Sequence, residues 1–177
     1  EILEIFTDEA LKLKSDFPFK GNIDIDRLKA TIEKHGKEHI PFVRMEASTN
    51  LIGGQPFSVQ NMREVRKVAD QYGILVVLDA SLLGENVWLV KKREEEFRNV
   101  SVGEILSTMC GLADIVYFSS RKVSSSRGGG ICTNSKELYL KMRDLVVLFE
   151  GFTTYGGISV REIEAMAVGL YETTDET

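Results

Sequence analysis

Residues 74–81 read ILVVLDAS, and this stretch constrains the fold more than any other. Five apolar side chains run without a break and end in an aspartate. The run lacks the alternation of a half-exposed strand, and it is too short for a helix. It fits a strand buried on both faces, the kind found in parallel sheets. Parallel neighbours need crossover connections, and these are usually helices. The chain therefore has to supply helices on either side of this strand.

It does. EILEIFT (1–7) alternates like a strand. Asp24 is placed to cap a helix with Ile25, Leu28 and Ile32 on one face, closed by Gly36. IPFVRMEAST (40–49) reads as the next strand, followed by the loop NLIGGQPFS. Ser58 opens a helix in which Val59, Met62, Val65, Val68 or Ala69, and Tyr72 recur at helical spacing, and Gly73 stops it. After ILVVLDAS, Ser101 with Glu104 has the form of a capping box for a helix through Met109. DIVYFSS and GGICT read as strands, and a helix spans about Ser135 to Phe149. A second capping box, Ser159 with Glu162, opens a last helix. The class is α/β, with a mostly parallel sheet flanked by helices and right-handed crossovers.

Composition narrows the function classes. The net charge of −5 argues against a nucleic-acid surface. No stretch approaches the roughly 20 apolar residues of a membrane span. Cys110 and Cys132 do not make a disulfide framework, so a reducing, cytoplasmic setting is expected. The first residues are acidic where a signal peptide is basic, and strand-like alternation begins at once without an initiator methionine. The expectation is a piece of a longer protein.

In open α/β sheets the ligand sits beyond the carboxyl ends of the strands. Three strands here end in polar groups: ASTN with Asn50, LDAS with Asp79, and SSRK with Ser119, Arg121 and Lys122. Each has a structural explanation, as a turn residue, a cap or a solvated lysine. Together they form a set with a chemistry. Pyridoxal phosphate needs a lysine amine for its aldehyde and a carboxylate to keep its ring nitrogen protonated. It also needs anion donors for its phosphate, a task that suits Ser119 and Arg121. The three glycines at 128–130 allow a turn and a close backbone approach.

STNLIGGQPFS, VVLDAS…GEN, ADIVYFSSRK…GGGICTN and EGFTTYGGIS…EAMAVGLYE occur in order across nearly the whole chain. In these motifs the chain resembles the β-eliminating lyases, tryptophanase and tyrosine phenol-lyase. The resemblance implies the large-domain fold of type I pyridoxal-phosphate enzymes, with residues 1–177 as its central part. An N-terminal segment and a C-terminal small domain would lie outside it. It implies that Lys122 anchors the cofactor, that Asp79 pairs with the ring nitrogen and that Asn50 meets the ring oxygen. Ser119 and Arg121 would hold the phosphate, and Tyr155 would stand near the active site. It further implies an aromatic amino-acid substrate, a homotetramer built from dimers, and a monovalent cation such as potassium near the Arg127 carbonyl. EGFTTYGG leans toward tryptophanase over tyrosine phenol-lyase. One position departs: the family carries an arginine three residues after the aspartate, where this chain has Leu82. That departure, and the segments the resemblance places outside 1–177, leave a rival reading as a non-catalytic binding or scaffold domain.

Other signals are weaker. His35 and His39 have a helical metal spacing, but Gly36 breaks the helix between them. KKREEEF (91–97) reads as a solvated helix face, Trp88 as a packing residue, and both cysteines as small core fillers.

Overall fold

A computed structural model of the chain describes residues 2–154 and 156–174. Helix α1 (Ile25–His35) precedes strand β1 (Phe42–Glu46), and α2 (Val59–Tyr72) leads to β2 (Leu75–Asp79). Helices α3 (Leu83–Arg93) and α4 (Val102–Gly111) lead to β3 (Ile115–Ser119). The short α5 (Ser120–Val123), β4 (Gly129–Cys132), α6 (Lys136–Phe149) and α7 (Val160–Glu172) complete the order. The caps sit where the side-chain chemistry puts them. Asp24 accepts from the Arg27 amide, Ser58 from Asn61, and Ser101 forms a reciprocal box with Glu104.

The sheet has the order β1-β2-β3-β4. β1, β2 and β3 are parallel, with Glu46 opposite Asp79 and Asp79 opposite Tyr117. β4 runs antiparallel to β3. The link between those two strands holds only α5 and a turn. It is shorter than the dozen or so residues a parallel crossover takes.

A strand order that advances in one direction has a further consequence. Successive right-handed crossovers then all fall on the same face of the sheet. Val43, Met45, Val76 and Leu78 point to that face and are buried with Leu28, Ile32, Met62, Val65, Ile105 and Met109. The opposite face carries Phe42, Arg44, Glu46, Val77, Asp79, Tyr117 and Ile131. Phe42 and Ile131 are exposed there. The helices that connect the parallel strands thus cover ILVVLDAS on one face, and on the other Val77 is just 7% exposed.

Several expectations need correction. Over its described residues 2–7 the alternating segment is not a sheet strand: Phe6 makes one isolated bridge to Ile23, and Ile5 and Thr7 bond the chain just before α1. Alternation alone does not make a strand where no edge is offered to it. Residues 91–97 are not a uniform solvated face. Helix α3 ends at Arg93, Phe97 is buried, and Glu94 accepts from the first amides of α2, Val59 (2.8 Å) and Gln60 (3.2 Å). A carboxylate there satisfies orphan donors and complements the helix dipole. Burial still raises the Glu94 carboxyl above its usual range. Trp88 is half exposed, with the Lys92 ammonium 4.4 Å from its ring centroid. Cys132 is exposed, while the partly buried Cys110 packs against the core.

Candidate active site

The parallel register brings the polar strand ends to one edge of the sheet. Asp79, the last residue of β2, lies between Glu46 of β1 and Tyr117 of β3. Asn50 follows four residues after Glu46, and Ser119 closes β3 just before α5, which bears Arg121 and Lys122. The ladder continues past the strands, with the Ala47 amide bonding the Asp79 carbonyl and the Ala80 amide the Tyr117 carbonyl.

Asp79 is half buried and held at both oxygens. Oδ1 accepts from the Ser81 amide (3.0 Å) and Oδ2 from the Tyr117 hydroxyl (2.8 Å). It is therefore a turn cap as well as a site candidate, and each oxygen keeps acceptor capacity. Burial and the Asp79 carboxylate push the Tyr117 phenol up to about 12, with Arg44 acting in the other direction. The phenol stays a donor at neutral pH.

The loop between β1 and α2 is fixed by a residue that sequence reasoning missed. Asn86 of α3 is fully buried. Its Oδ1 accepts from the amides of Ser48 (3.2 Å) and Phe57 (3.0 Å), and its Nδ2 donates to the Phe57 carbonyl (2.9 Å). Both ends of the GGQP loop thus hang on one carboxamide. The GEN motif is its only sequence signal, because the helix expected at 91–97 in fact spans Leu83–Arg93 and so begins ahead of Asn86. Within the loop Ser48 has a positive φ of 50° and a buried hydroxyl with no partner. Asn50 is exposed, its amide bonded to Glu46 Oε1 (2.9 Å).

Lys122 is exposed on α5, and among the described residues it has no ion-pair partner. The turn after it is tied down by serines. The amides of Ser124 and Ser126 both bond the Ser120 carbonyl, and the Ser126 hydroxyl donates to the Glu162 carbonyl and carboxylate (2.8 and 2.9 Å). The Arg127 amide donates to the same carboxylate (3.1 Å). These bonds, the Arg127 amide first, hold Glu162 below its usual range. Glu162 is therefore not the second half of a capping box: Ser159 accepts from the Glu162 amide, but the carboxylate turns to the loop. Helix α7 comes so close at Gly169 that a Cβ there would stand 2.5 Å from the Ser124 carbonyl oxygen. Gly128 ends the turn at φ +87°, a backbone open to glycine.

An open cleft of about 430 Å³ lies beside this turn, lined by Arg121, Ser125, Ser126, Arg127 and Glu162. Asp79, Asn50, Ser119 and Lys122 do not line it. Tyr155 lies outside the described residues. No group of three or more His, Cys, Asp or Glu placed to hold a metal ion occurs among the described residues. No helix among them is long and apolar enough to cross a membrane.

The donor set fits pyridoxal phosphate. A lysine without an ionic partner, a carboxylate with spare lone pairs, a strand-end hydroxyl and an arginine stand on adjacent elements. Leu82 supplies no polar group; it is the cap residue of α3, with no side-chain cap bond.

The sequence pattern of the beta-eliminating lyase family matches residues 4–168. The chain belongs to that family. It is similar to tyrosine phenol-lyase of Pasteurella multocida, 40% identical over 98% of this chain and 38% of that protein. Tyrosine phenol-lyase of Symbiobacterium sp. is 39% identical over the same shares. The chain thus spans under two fifths of the length of these relatives. The sequence lean toward tryptophanase finds no support in these names; the tyrosine phenol-lyase alternative fits them better.

Among solved structures, the fold is shared with a protein described as an L-allo-threonine aldolase of Listeria monocytogenes. That match has TM-score 0.59 at 21% identity, over 85% of this chain and 36% of that one. A transaminase from a marine Virgibacillus matches with TM-score 0.52 at 22% identity, over 84% and 30%.

Proposed function

We propose that this chain is the central part of the cofactor-binding domain of a pyridoxal-phosphate-dependent carbon–carbon lyase. It would act by β-elimination on an aromatic L-amino acid, with tyrosine and water giving phenol, pyruvate and ammonia. What supports this reading is sequence position on the sheet: Asp79 ends β2, Ser119 ends the adjacent β3, and Arg121 and Lys122 follow on α5. The names of the relatives support phenol over indole as the leaving group.

When bound, the cofactor supplies an electron sink for the carbanion at the substrate α-carbon. Lys122 Nζ would anchor the cofactor and would carry the proton at that carbon. Asp79 keeps a proton on the ring nitrogen, and Asn50 donates to the ring oxygen. Ser119 and Arg121 hold the phosphate. A role for Tyr155, of the YGG segment, near the substrate belongs to the same proposal. Leu82 would leave the ring oxygen one donor short of the family pattern, and restoring the arginine with Leu82→Arg should then raise turnover. A monovalent cation near the Arg127 carbonyl, a homotetrameric assembly and a cytoplasmic location belong to the same reading.

Two measurements on the full-length protein test it. Added cofactor should produce a visible absorption band, and tyrosine should then yield phenol. Asp79→Ala should weaken cofactor binding far less than it reduces turnover, which should fall by several orders of magnitude. Absence of any band would favour the scaffold reading, and unchanged turnover in Asp79→Ala would reduce that residue to a turn cap.

A further inference from the structure

We propose that Tyr117 is a positioning residue that fixes the Asp79 carboxylate for its ionic contact with the cofactor ring. The inference rests on the function proposed above and adds a residue to it.

A strand-end aspartate can rotate about two side-chain bonds. A single hydrogen bond fixes one oxygen and leaves the plane of the carboxylate free. Here the two oxygens are held by different elements, Oδ1 by the Ser81 amide of the following turn and Oδ2 by the Tyr117 hydroxyl of the neighbouring strand. The pairing of Asp79 with Tyr117 puts both side chains on the face of the sheet opposite the helices that connect the parallel strands. The phenol is half buried and held 2.8 Å from the carboxylate, so the bond is charge-assisted. Arg44 and Glu46 of β1 share this face and bond each other at 3.1 Å, Arg44 also acts on the Tyr117 hydroxyl and opposes the rise of its pKa, and β4 contributes only Gly129 and Ile131 opposite the end of β3. The high phenol pKa keeps the proton on Tyr117 throughout the neutral range. What results is a carboxylate in one orientation, with a remaining lone pair on each oxygen for a ring N–H.

The test is a double-mutant cycle in the full-length protein, read by cofactor dissociation constant and by the absorption spectrum of the bound cofactor. The variants are Tyr117→Phe, Asp79→Asn and the pair. Tyr117→Phe should weaken cofactor binding about tenfold, the effect of one hydrogen bond to a charged group, and change the relative heights of the absorption bands. In the Asp79→Asn background it should do neither. Equal losses in both backgrounds would show a merely structural tyrosine and overturn the proposal. So would an unchanged Tyr117→Phe beside a weakened Asp79→Asn. If Asp79→Asn itself leaves affinity and spectrum unchanged, the site reading fails first and this inference falls with it. Site-specific 3-fluorotyrosine at 117 keeps the shape and strengthens the donor. It should tighten binding, and weaker binding would contradict the proposal even if Tyr117→Phe folds poorly.

Discussion

The two halves of the chain are built differently. Among the described residues, every buried apolar side chain lies between Ala10 and Met109. Beyond Met109 the buried side chains are Ser120, Ser124 and Ser126, and neither α6 nor α7 buries a residue. The first half is a helix-covered sheet with an interior of interlocked methyl and methylene groups. The second is a lysine-bearing turn, a hairpin strand and two helices joined mainly by hydroxyl and carboxylate hydrogen bonds. Asn50 and Asp79 therefore stand on a packed body, whereas Arg121 and Lys122 stand on a polar latch. A lysine with the proposed cofactor role would gain from such a mount, because a hydrogen-bonded turn can shift without disturbing a core.

The sharpest way to break this comparison is to remove a side chain from each half. Ile105→Ala, at a fully buried position, should cost about 3 kcal/mol in urea unfolding of this chain. Leu148→Ala, on α6 and 73% exposed, should stay within about 0.5 kcal/mol. Equal costs would mean that the second half has a core of its own.

A polar deletion in the first half comes next. Asn86→Ala strands two amides and a carbonyl of the GGQP loop, and should cost about 2 kcal/mol. Amide exchange should accelerate at Ser48 and Phe57. A stable variant with unchanged exchange would show that the loop holds itself.

The smallest effect is a matter of pH. The Glu162 carboxyl is held below its ordinary range, so its contribution is present above that range and lost as pH falls through the depressed value. Acid should lower the protection of the Arg127 amide, read as exchange relative to the intrinsic rate at each pH, while amides of β2 stay protected. Simultaneous loss in both halves would mean that the latch and the core unfold together.

What the sequence revealed follows the same division. Caps, helix spans and the run 74–78 are local signals, and each matches an element or its end. The site candidates at strand ends were legible because strand termination by Asp79 and Ser119 is itself local. Four features were not legible, each depending on distant partners. The gathering of the connecting helices on one sheet face follows from strand order. The role of Asn86 needs the loop 29 residues away in sequence. The turning of Glu162 from helix cap to loop latch needs Ser126 and Arg127, which its own helix does not predict. The Tyr117–Asp79 bond likewise appears only once the register is known.

The central claim is that Lys122 carries the cofactor. Borohydride reduction of the full-length protein with pyridoxal phosphate, followed by peptide mapping, tests it directly. The account predicts label on the peptide containing Lys122 and none after Lys122→Ala, with the fold unchanged. Label that persists in the variant, or that maps to another lysine in the native protein, would contradict it.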